Sequence, residues 1–357
     1  MKILALFILL VSFTAFAKPS ISYKYIPKDA NVVGYVSTKS LMKSKYFKKF
    51  IKTKNGKEAL KNLKKIGVNI KKLGSVFFYS NSDKVLASEN PKDVKNLDYA
   101  IVLNGINLKT FVEKIANKNK NAKIINHGGF KIYNDLEKQK NEQSVEAITF
   151  IKGNSILGSV TGIKKVIDAF SGKSKFAKKS IVNGLYSKLG NPDAFIINII
   201  NEKQKIAINK ALQKNQANPA MMMLGIPALS KNAEYFGLAF KLKGSTVTVK
   251  FGIKANKASI KMFTTALNMQ FKNFKPMIMQ QIDAYSGMVG KTGSKELKSI
   301  VNSLRITQKK DLGIISFKVN LNNVEKIINQ MNKAQKGQKN QNDQMMQMMK
   351  QQQMRTK

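Results

Sequence analysis

The chain has 357 residues and carries 63 Lys and Arg residues against 20 Asp and Glu residues, which gives a formal net charge of +43. It contains no Cys, which excludes disulfide bonds, a thiol nucleophile and a lipoprotein-type lipid anchor. A hydrolytic triad or a histidine-based metal site would have to be built around a single histidine. The length is sufficient for one or two hydrophobic cores.

The positive charge comes from lysines that are spread along the whole chain. Only Arg305 and Arg355 are arginines, and base readout favours the arginine fork, so we predict no sequence-specific recognition of nucleic acid. Two explanations of the charge stay open. One is an anionic partner such as lipopolysaccharide, acidic glycan or extracellular nucleic acid. The other is a solvated basic surface produced by a composition rich in Lys, Asn and Ile.

Residues 1–17 have the form of a secretory signal peptide. Lys2 precedes an apolar run over residues 3–13, and Ala-Phe-Ala at residues 15–17 has the small-x-small form of a cleavage site. The run is shorter than the roughly 20 residues that span a bilayer. We therefore predict cleavage after Ala17, export to the periplasm or the exterior, and no transmembrane segment in the mature chain.

Residues 18–180 are predicted to form a first α+β unit. The phrase Pro27-Lys28-Asp29-Ala30 precedes an apolar strand at residues 31–36. A Lys-rich helical stretch follows at about 41–66, with an interruption predicted at residues 54–57. The pattern then predicts strands at 73–79 and 99–103, a helix at 108–116, hairpins at 123–133 and 147–160, and a helix at 161–170.

Residues 181–332 are predicted to form a second, similar unit. Asn191-Pro192-Asp193-Ala194 again precedes an apolar strand, at residues 195–200. The pattern then predicts a Lys- and Gln-rich helix, strands at 235–242 and 246–253, helical segments up to 304, a hairpin of 304–307 with 313–319, and a helix at 321–331.

The shared order of elements predicts an internal duplication of a unit of domain size. We expect an α+β fold in which each unit is a mainly antiparallel sheet with helices packed on one face, rather than a doubly wound nucleotide-binding fold. Residues 333–357 consist mostly of Gln, Asn, Lys and Met and are predicted to be a disordered tail.

The Pro-x-Asp-Ala phrase before an apolar strand, soon after a signal peptide, resembles a broad group of secreted bacterial proteins of unknown function. The resemblance extends over most of residues 26–331. It implies an extracytoplasmic, non-enzymatic α+β protein, and it supplies no catalytic residues.

The stretch GMVGKTGS at residues 287–294 contains a Gly-Lys-Thr, but its spacing argues against a nucleotide site. A phosphate loop with Gly290-Lys291-Thr292 would need its first glycine at position 285, which is Tyr285. The loop should also follow a buried strand, whereas residues 280–283 have a helical pattern. We predict a connection between two helices.

The remaining polar candidates are weak as catalytic groups. His127 is expected to be a turn residue between two strands. Asp135 and Glu137 lie in a Lys-rich loop where neither would be desolvated. Asp29 and Asp193 occupy equivalent positions, which favours a structural role. An enzymatic interpretation would require His127 beside two carboxylates in a cleft.

Methionines cluster twice. Residues Met221–Met223 either cover the edge of the core or form an adaptable patch for a peptide, a lipid or a protein partner. Four methionines of the tail could ligate Cu(I), although composition alone accounts for them. We predict no catalytic, cofactor or metal site. The expected function is that of an exported, non-enzymatic binding or structural component of the envelope. The alternative is a polyanion-binding carrier or adhesion protein that uses lysine-rich faces.

Overall fold

The computed structural model describes residues 23–65, 68–81, 97–136, 147–176, 178–214 and 224–324. Within them, twelve strands form one antiparallel sheet. The strands are β1 Val32–Ser37, β2 Ser75–Asn81, β3 Asp98–Asn104, β4 Lys123–His127, β5 Phe130–Asn134, β6 Ala147–Ile151, β7 Asn154–Gly158, β8 Ala194–Ile199, β9 Tyr235–Lys243, β10 Thr246–Lys254, β11 Arg305–Lys309 and β12 Leu312–Asn320.

The helices lie between the strands, at the positions where the sequence pattern changes from a period of two to one near 3.6. They are α1 Thr38–Lys43, α2 Lys45–Phe50, α3 Lys54–Lys65, α4 Lys109–Lys118, α5 Val160–Phe170, α6 Lys179–Lys188, α7 Glu202–Lys214, α8 Ile226–Asn232, α9 Lys257–Ala284 and α10 Ser286–Ser303. No helix in the described part of the chain combines the length and the hydropathy that crossing a bilayer requires.

The sheet has the order β11-β12-β10-β9-β8-β1-β2-β3-β7-β6-β5-β4. At its centre β1 pairs with β8, and Gly34 lies opposite Ile196. The strand order is matched on the two sides of this central pair. One side reads β1, β2, β3, β7, β6 from the centre outward, and the other reads β8, β9, β10, β12, β11 in the corresponding positions. The first side continues with β5 and β4, which have no counterpart on the other. The α+β class is confirmed. The matching order supports an internal duplication, which stays a prediction.

The predicted hairpins are confirmed, and their turns follow from local chemistry. Gly128 and Gly129 have φ angles of 55° and 82° and connect β4 to β5, as a two-residue turn of this handedness requires. The turn between β6 and β7 is formed by Lys152 and Gly153, one residue earlier than the sequence indicates.

Helices α5 and α6 cover one face of the sheet, which we call the α5 face. Ile163 and Ile167 of α5 and Leu185 of α6 are at most 1 % exposed and pack with strand residues such as Phe77 and Ile197. Because each of these helices presents an apolar stripe to alternate strand residues, this layer forms the largest core of the protein.

The opposite face, which we call the α9 face, carries a second layer. Val112 of α4 packs with Val76 and Ile101, and Ile260 of α9 approaches the backbone of β12 at Gly313. The structure therefore places helices on both faces of the sheet, whereas the sequence led us to expect them on one. The central strands are buried on both faces, which fits their continuous apolar runs.

Two helical regions differ from expectation. The stretch at 41–66 is interrupted, as predicted, but the breaks lie at Ser44 and at 51–53 instead of at 54–57. Ser44 and Thr53 act as N-caps for α2 and α3, and their hydroxyls accept from Phe47 N at 3.0 Å and Gly56 N at 3.1 Å. Helix α6 was not predicted at all, because its apolar stripe is narrow and lies in a polar, basic segment.

Candidate anion-binding face

Basic side chains gather on the α5 face of the sheet where β9, β10, β12 and β11 lie side by side. Residues that pair directly across antiparallel strands share a face. The register therefore places Lys241, Thr248 and Lys318 in one row. The next row contains Lys250, Ser316 and Arg305.

Lys309 lies four residues along β11 from Arg305 and is on the same face, because a strand alternates with a period of two. We call the set Lys241, Lys250, Arg305, Lys309 and Lys318 the basic face. Basic groups two strands apart are separated by about 10 Å, with a hydroxyl side chain between them. Arg305, Lys309 and Lys318 are exposed, and the other two are half-buried.

Two members of the basic face are held by the end of α6. The ammonium of Lys241 donates to Gly190 O at 2.8 Å, and that of Lys250 donates to Leu189 O at 2.9 Å. Cations suit this position, since the last carbonyls of a helix have no intrahelical partner and carry partial negative charge. Gly190 has a φ of 87°, and a Cβ there would lie 3.0 Å from the Lys250 ammonium.

The positive charges of the basic face repel one another. Burial lowers the pKa of Lys250, and the charges of Lys309 and Lys241 lower that pKa further. In the described part of the chain, no carboxylate forms an ion pair with Lys241, Lys250 or Lys309.

Two lysines near the end of β10 are paired with carboxylates: Lys254 on that strand and Lys188 at the end of α6. The ammonium of Lys254 lies 2.6 Å from a Glu234 oxygen and 3.6 Å from an Asp311 oxygen. Lys188 lies 3.4 Å from Asp311. Carboxylates therefore neutralise one edge of this surface and leave the basic face positive. Rigid strands, spaced cations and hydroxyl donors together suit a ligand with repeated anionic groups.

The single histidine has one carboxylate partner in the described part of the chain. His127 Nε2 lies 3.0 Å from Asp168 Oδ1, and the Lys173 ammonium lies 4.0 Å from the same oxygen. His127 ends β4 and Asp168 lies on α5, so the contact ties the outer hairpin to the helix. Among the described residues, His127 is therefore paired with one of the two carboxylates that an enzymatic interpretation would require.

The other sequence candidates have separate surroundings. Asp29 contacts Lys165 and Asn81, whereas Asp193 accepts a hydrogen bond from Leu242 N at 3.0 Å. Asp135 lies 3.5 Å from Lys123. Glu137, the methionines at 221–223, the tail and the signal sequence lie outside the described residues.

The GMVGKTGS stretch follows helix α9 and lies in α10, which is interrupted at Gly290 with φ 69° and ψ 167°. A helix rather than a strand precedes it, as the sequence predicts. The backbone therefore does not have the strand-loop-helix arrangement of a phosphate loop.

The sequence did not predict the basic face. Its lysines belong to four strands, and along the chain they look scattered. The one available signal was the strict alternation of β10, which predicts a wet face containing Thr248 and Lys250.

No protein-family model and no curated protein matches the chain. Among solved structures, crystal form I of TP0453 matches with 10 % sequence identity and a TM-score of 0.42, covering 88 % of this chain and 99 % of that chain. Crystal form III of TP0453 matches with 9 % identity and a TM-score of 0.42, covering 86 % and 96 %. This likeness is too remote to support an inference about function.

Proposed function

We propose that the protein is an exported, non-enzymatic component of the bacterial envelope that binds anionic polysaccharide through the basic face. Export rests on the signal peptide predicted at residues 1–17, and the two-unit architecture on the duplication predicted from the sequence. The observation that carries the binding proposal is the clustering of five basic side chains on adjacent strands, none of which forms an ion pair with a described carboxylate.

The electrostatics favour a polymeric anion over a single small one. Basic residues two strands apart are about 10 Å from each other at the backbone, so one small anion contacts only one or two of the five. A chain with repeated sulfate, carboxylate or phosphate groups contacts several at once and relieves their mutual repulsion. The counterions that such a polymer releases make its binding strongly dependent on salt.

The proposal is tested by heparin chromatography of a triple variant, Arg305→Gln, Lys309→Gln and Lys318→Gln. All three side chains are exposed, so the fold is expected to be retained. We expect the variant to elute at a lower salt concentration than the unmodified protein, because three contacts with the polymer are removed.

The matched control is Lys114→Gln, Lys118→Gln and Lys120→Gln, which removes the same charge from exposed positions on and beside α4. We expect this control to elute close to the unmodified protein. Equal shifts for the two variants would mean that heparin responds to net charge alone, and the basic face would then have no special role.

The lowered pKa of Lys250 provides a second test. A bound polyanion supplies negative charge that favours the ammonium form, so the pKa of Lys250 is expected to rise toward its ordinary value of 10.5 on binding. The measurement is an NMR titration of the lysine side chains with and without a heparin oligosaccharide. Lys254, which is already paired with Glu234, serves as the internal control. A Lys250 pKa that does not change on saturation contradicts binding at this face.

A further inference from the structure

Helix α9 and its C-terminal cap carry most of the exposed large apolar side chains in the described residues. Eight such side chains are exposed, and five of them belong to this one segment. Their exposed fractions are 45 % for Met262, 56 % for Met269, 50 % for Phe274, 46 % for Met277 and 59 % for Tyr285. Apolar exposure that is concentrated on one helix in this way marks an interaction site more often than scattered single residues do.

The exposure follows from the length of the helix. Helix α9 has 28 residues and is therefore about 42 Å long. Its first half covers the sheet, where Ile260 is fully buried and Phe263 is 7 % exposed. In its second half Ile282 is still buried, but Phe274 and Met277 are not. The apolar stripe thus continues beyond the part of the helix that the core covers.

Charge and apolar surface are segregated around α9. At about 100° per residue, Met262, Met269 and Met277 lie within about 80° of each other. The four lysines of the helix lie within about 60° of each other on the adjoining side. These lysines are Lys257, Lys261, Lys272 and Lys275.

Among the residues that the structure describes, no carboxylate forms an ion pair with a lysine of α9. Asp283 is the only acidic residue of the helix, and its carboxylate lies 2.5 Å from the ammonium of Lys298. The exposed side of the helix therefore presents methionines beside a row of cations.

We propose that α9 docks on an anionic lipid bilayer, with Met269 and Met277 entering the boundary between headgroups and acyl chains and the lysines contacting the headgroups. Apolar side chains flanked by lysines on one helix are the features that hold a helix in the plane of a membrane surface. Flexible thioether side chains adapt to such a disordered environment.

The charge favours a bilayer over a second copy of this chain. A second copy would bring a second row of lysines next to the first, on molecules that each carry a formal charge of +43. An anionic surface neutralises the same lysines, and juxtamembrane cations gain from its negative potential.

The test is co-sedimentation of the full chain with vesicles of phosphatidylglycerol and phosphatidylcholine, compared with vesicles of phosphatidylcholine alone. We expect binding to the anionic vesicles that is weakened by salt. The double variant Met269→Gln and Met277→Gln should bind about tenfold more weakly, because two apolar side chains are lost from the acyl boundary. The matched control, Ile124→Gln and Ile206→Gln, changes two equally exposed apolar side chains elsewhere and should bind like the unmodified protein.

A measurement on the unmodified protein covers the case in which a variant misfolds. Anionic vesicles should slow the oxidation of Met269 and Met277 by peroxide, as measured by peptide mass spectrometry. Equal binding of both double variants, or no protection of these methionines, overturns the proposal. So does a concentration-dependent dimer that forms without lipid and is abolished by Met269→Gln and Met277→Gln. Heparin elution of that methionine variant should be unchanged, which separates this proposal from the one for the basic face.

Discussion

Replacing Gly162 with alanine is expected to destabilise the protein by about 3 kcal/mol or more, because α5 meets β3 at this residue with no room for a side chain. A Cβ at position 162 would lie 2.1 Å from the carbonyl oxygen of Tyr99 and 2.7 Å from its carbonyl carbon. Both are backbone atoms of a strand that is hydrogen-bonded on both sides, so they cannot move independently. The Ser159 hydroxyl also accepts a hydrogen bond from Gly162 N at 3.0 Å, which fixes the start of the helix.

Gly184 provides the matched control in another helix. A Cβ there would meet nothing within 4 Å. Alanine is the better helix former, so Gly184→Ala should be neutral or stabilise the protein by up to about 1 kcal/mol. The measurement is the free energy of unfolding from urea titrations followed by circular dichroism. If the two variants unfold at the same urea concentration, the close approach of α5 to β3 is not a feature of the protein in solution.

The parts of the fold that depend on local chemistry could be predicted from the sequence. Strand β10 alternates apolar and polar residues, and the turn at Gly128 and Gly129 needs the positive φ angles that glycine adopts without cost. Such signals involve residues that are neighbours along the chain. They give the strands, the hairpins and the α+β class.

The pairing of β1 with β8 could not be predicted in the same way. Gly34 lies opposite Ile196, 162 residues later in the chain. Both strands are continuous apolar runs buried on both faces, so their patterns do not specify a partner or a register. The sequence therefore predicted two similar units but did not indicate that they share one sheet.

Capping explains the errors in the helices. The sequence predicted one interruption of the stretch at 41–66, at residues 54–57, but the hydroxyls of Ser44 and Thr53 satisfy the backbone donors of new helix starts and divide the stretch into three. Which serine or threonine acts as a cap depends on tertiary contacts, and composition does not reveal those contacts.

The basic face shows how a site can be absent from the sequence and present in the fold. Lys241 and Lys309 are 68 residues apart along the chain and lie on β9 and β11. Only the register of the four strands brings them to the same face as Lys250. The sequence correctly indicates that lysines are abundant, but the pairing order decides which of them become neighbours.

Replacing Lys165 with methionine should destabilise the protein by about 2 kcal/mol near neutral pH, because its ammonium holds two carboxylates together. It lies 2.6 Å from Asp29 Oδ2 and 2.9 Å from Asp98 Oδ2. The Asp98 side chain is 8 % exposed, so the variant leaves a buried charge without this partner. The value is below that of a fully buried pair, because Lys165 and Asp29 are each about one-third exposed to solvent, which screens their charges.

The loss of stability in Lys165→Met should depend on pH, and the direction of this dependence follows from the pKa shifts. Burial would raise the pKa of Asp29, but hydrogen bonds from Lys165 and Asn81 and the Lys165 charge outweigh it and lower that pKa below 3.8. The stabilisation from Asp29 is therefore complete above its unfolded pKa and is lost as the pH falls through the folded value.

The stabilisation from Lys165 depends on pH in the opposite direction to that from Asp29. Burial would lower the pKa of Lys165, but hydrogen bonds to Asp29 and Asp98 and their charges raise it above 10.5. The contribution of Lys165 to stability is complete below pH 10.5, its unfolded pKa, and is lost as the pH rises through its folded pKa.

The measurement is urea unfolding of Lys165→Met and of the unmodified protein. The difference between their free energies of unfolding should be constant from about pH 5 to pH 9 and should shrink below about pH 4. Lys164→Met, next to it on α5, should show little loss at any pH. A difference that persists undiminished at about pH 3 would assign the effect to packing of the lysine stem instead of its charge.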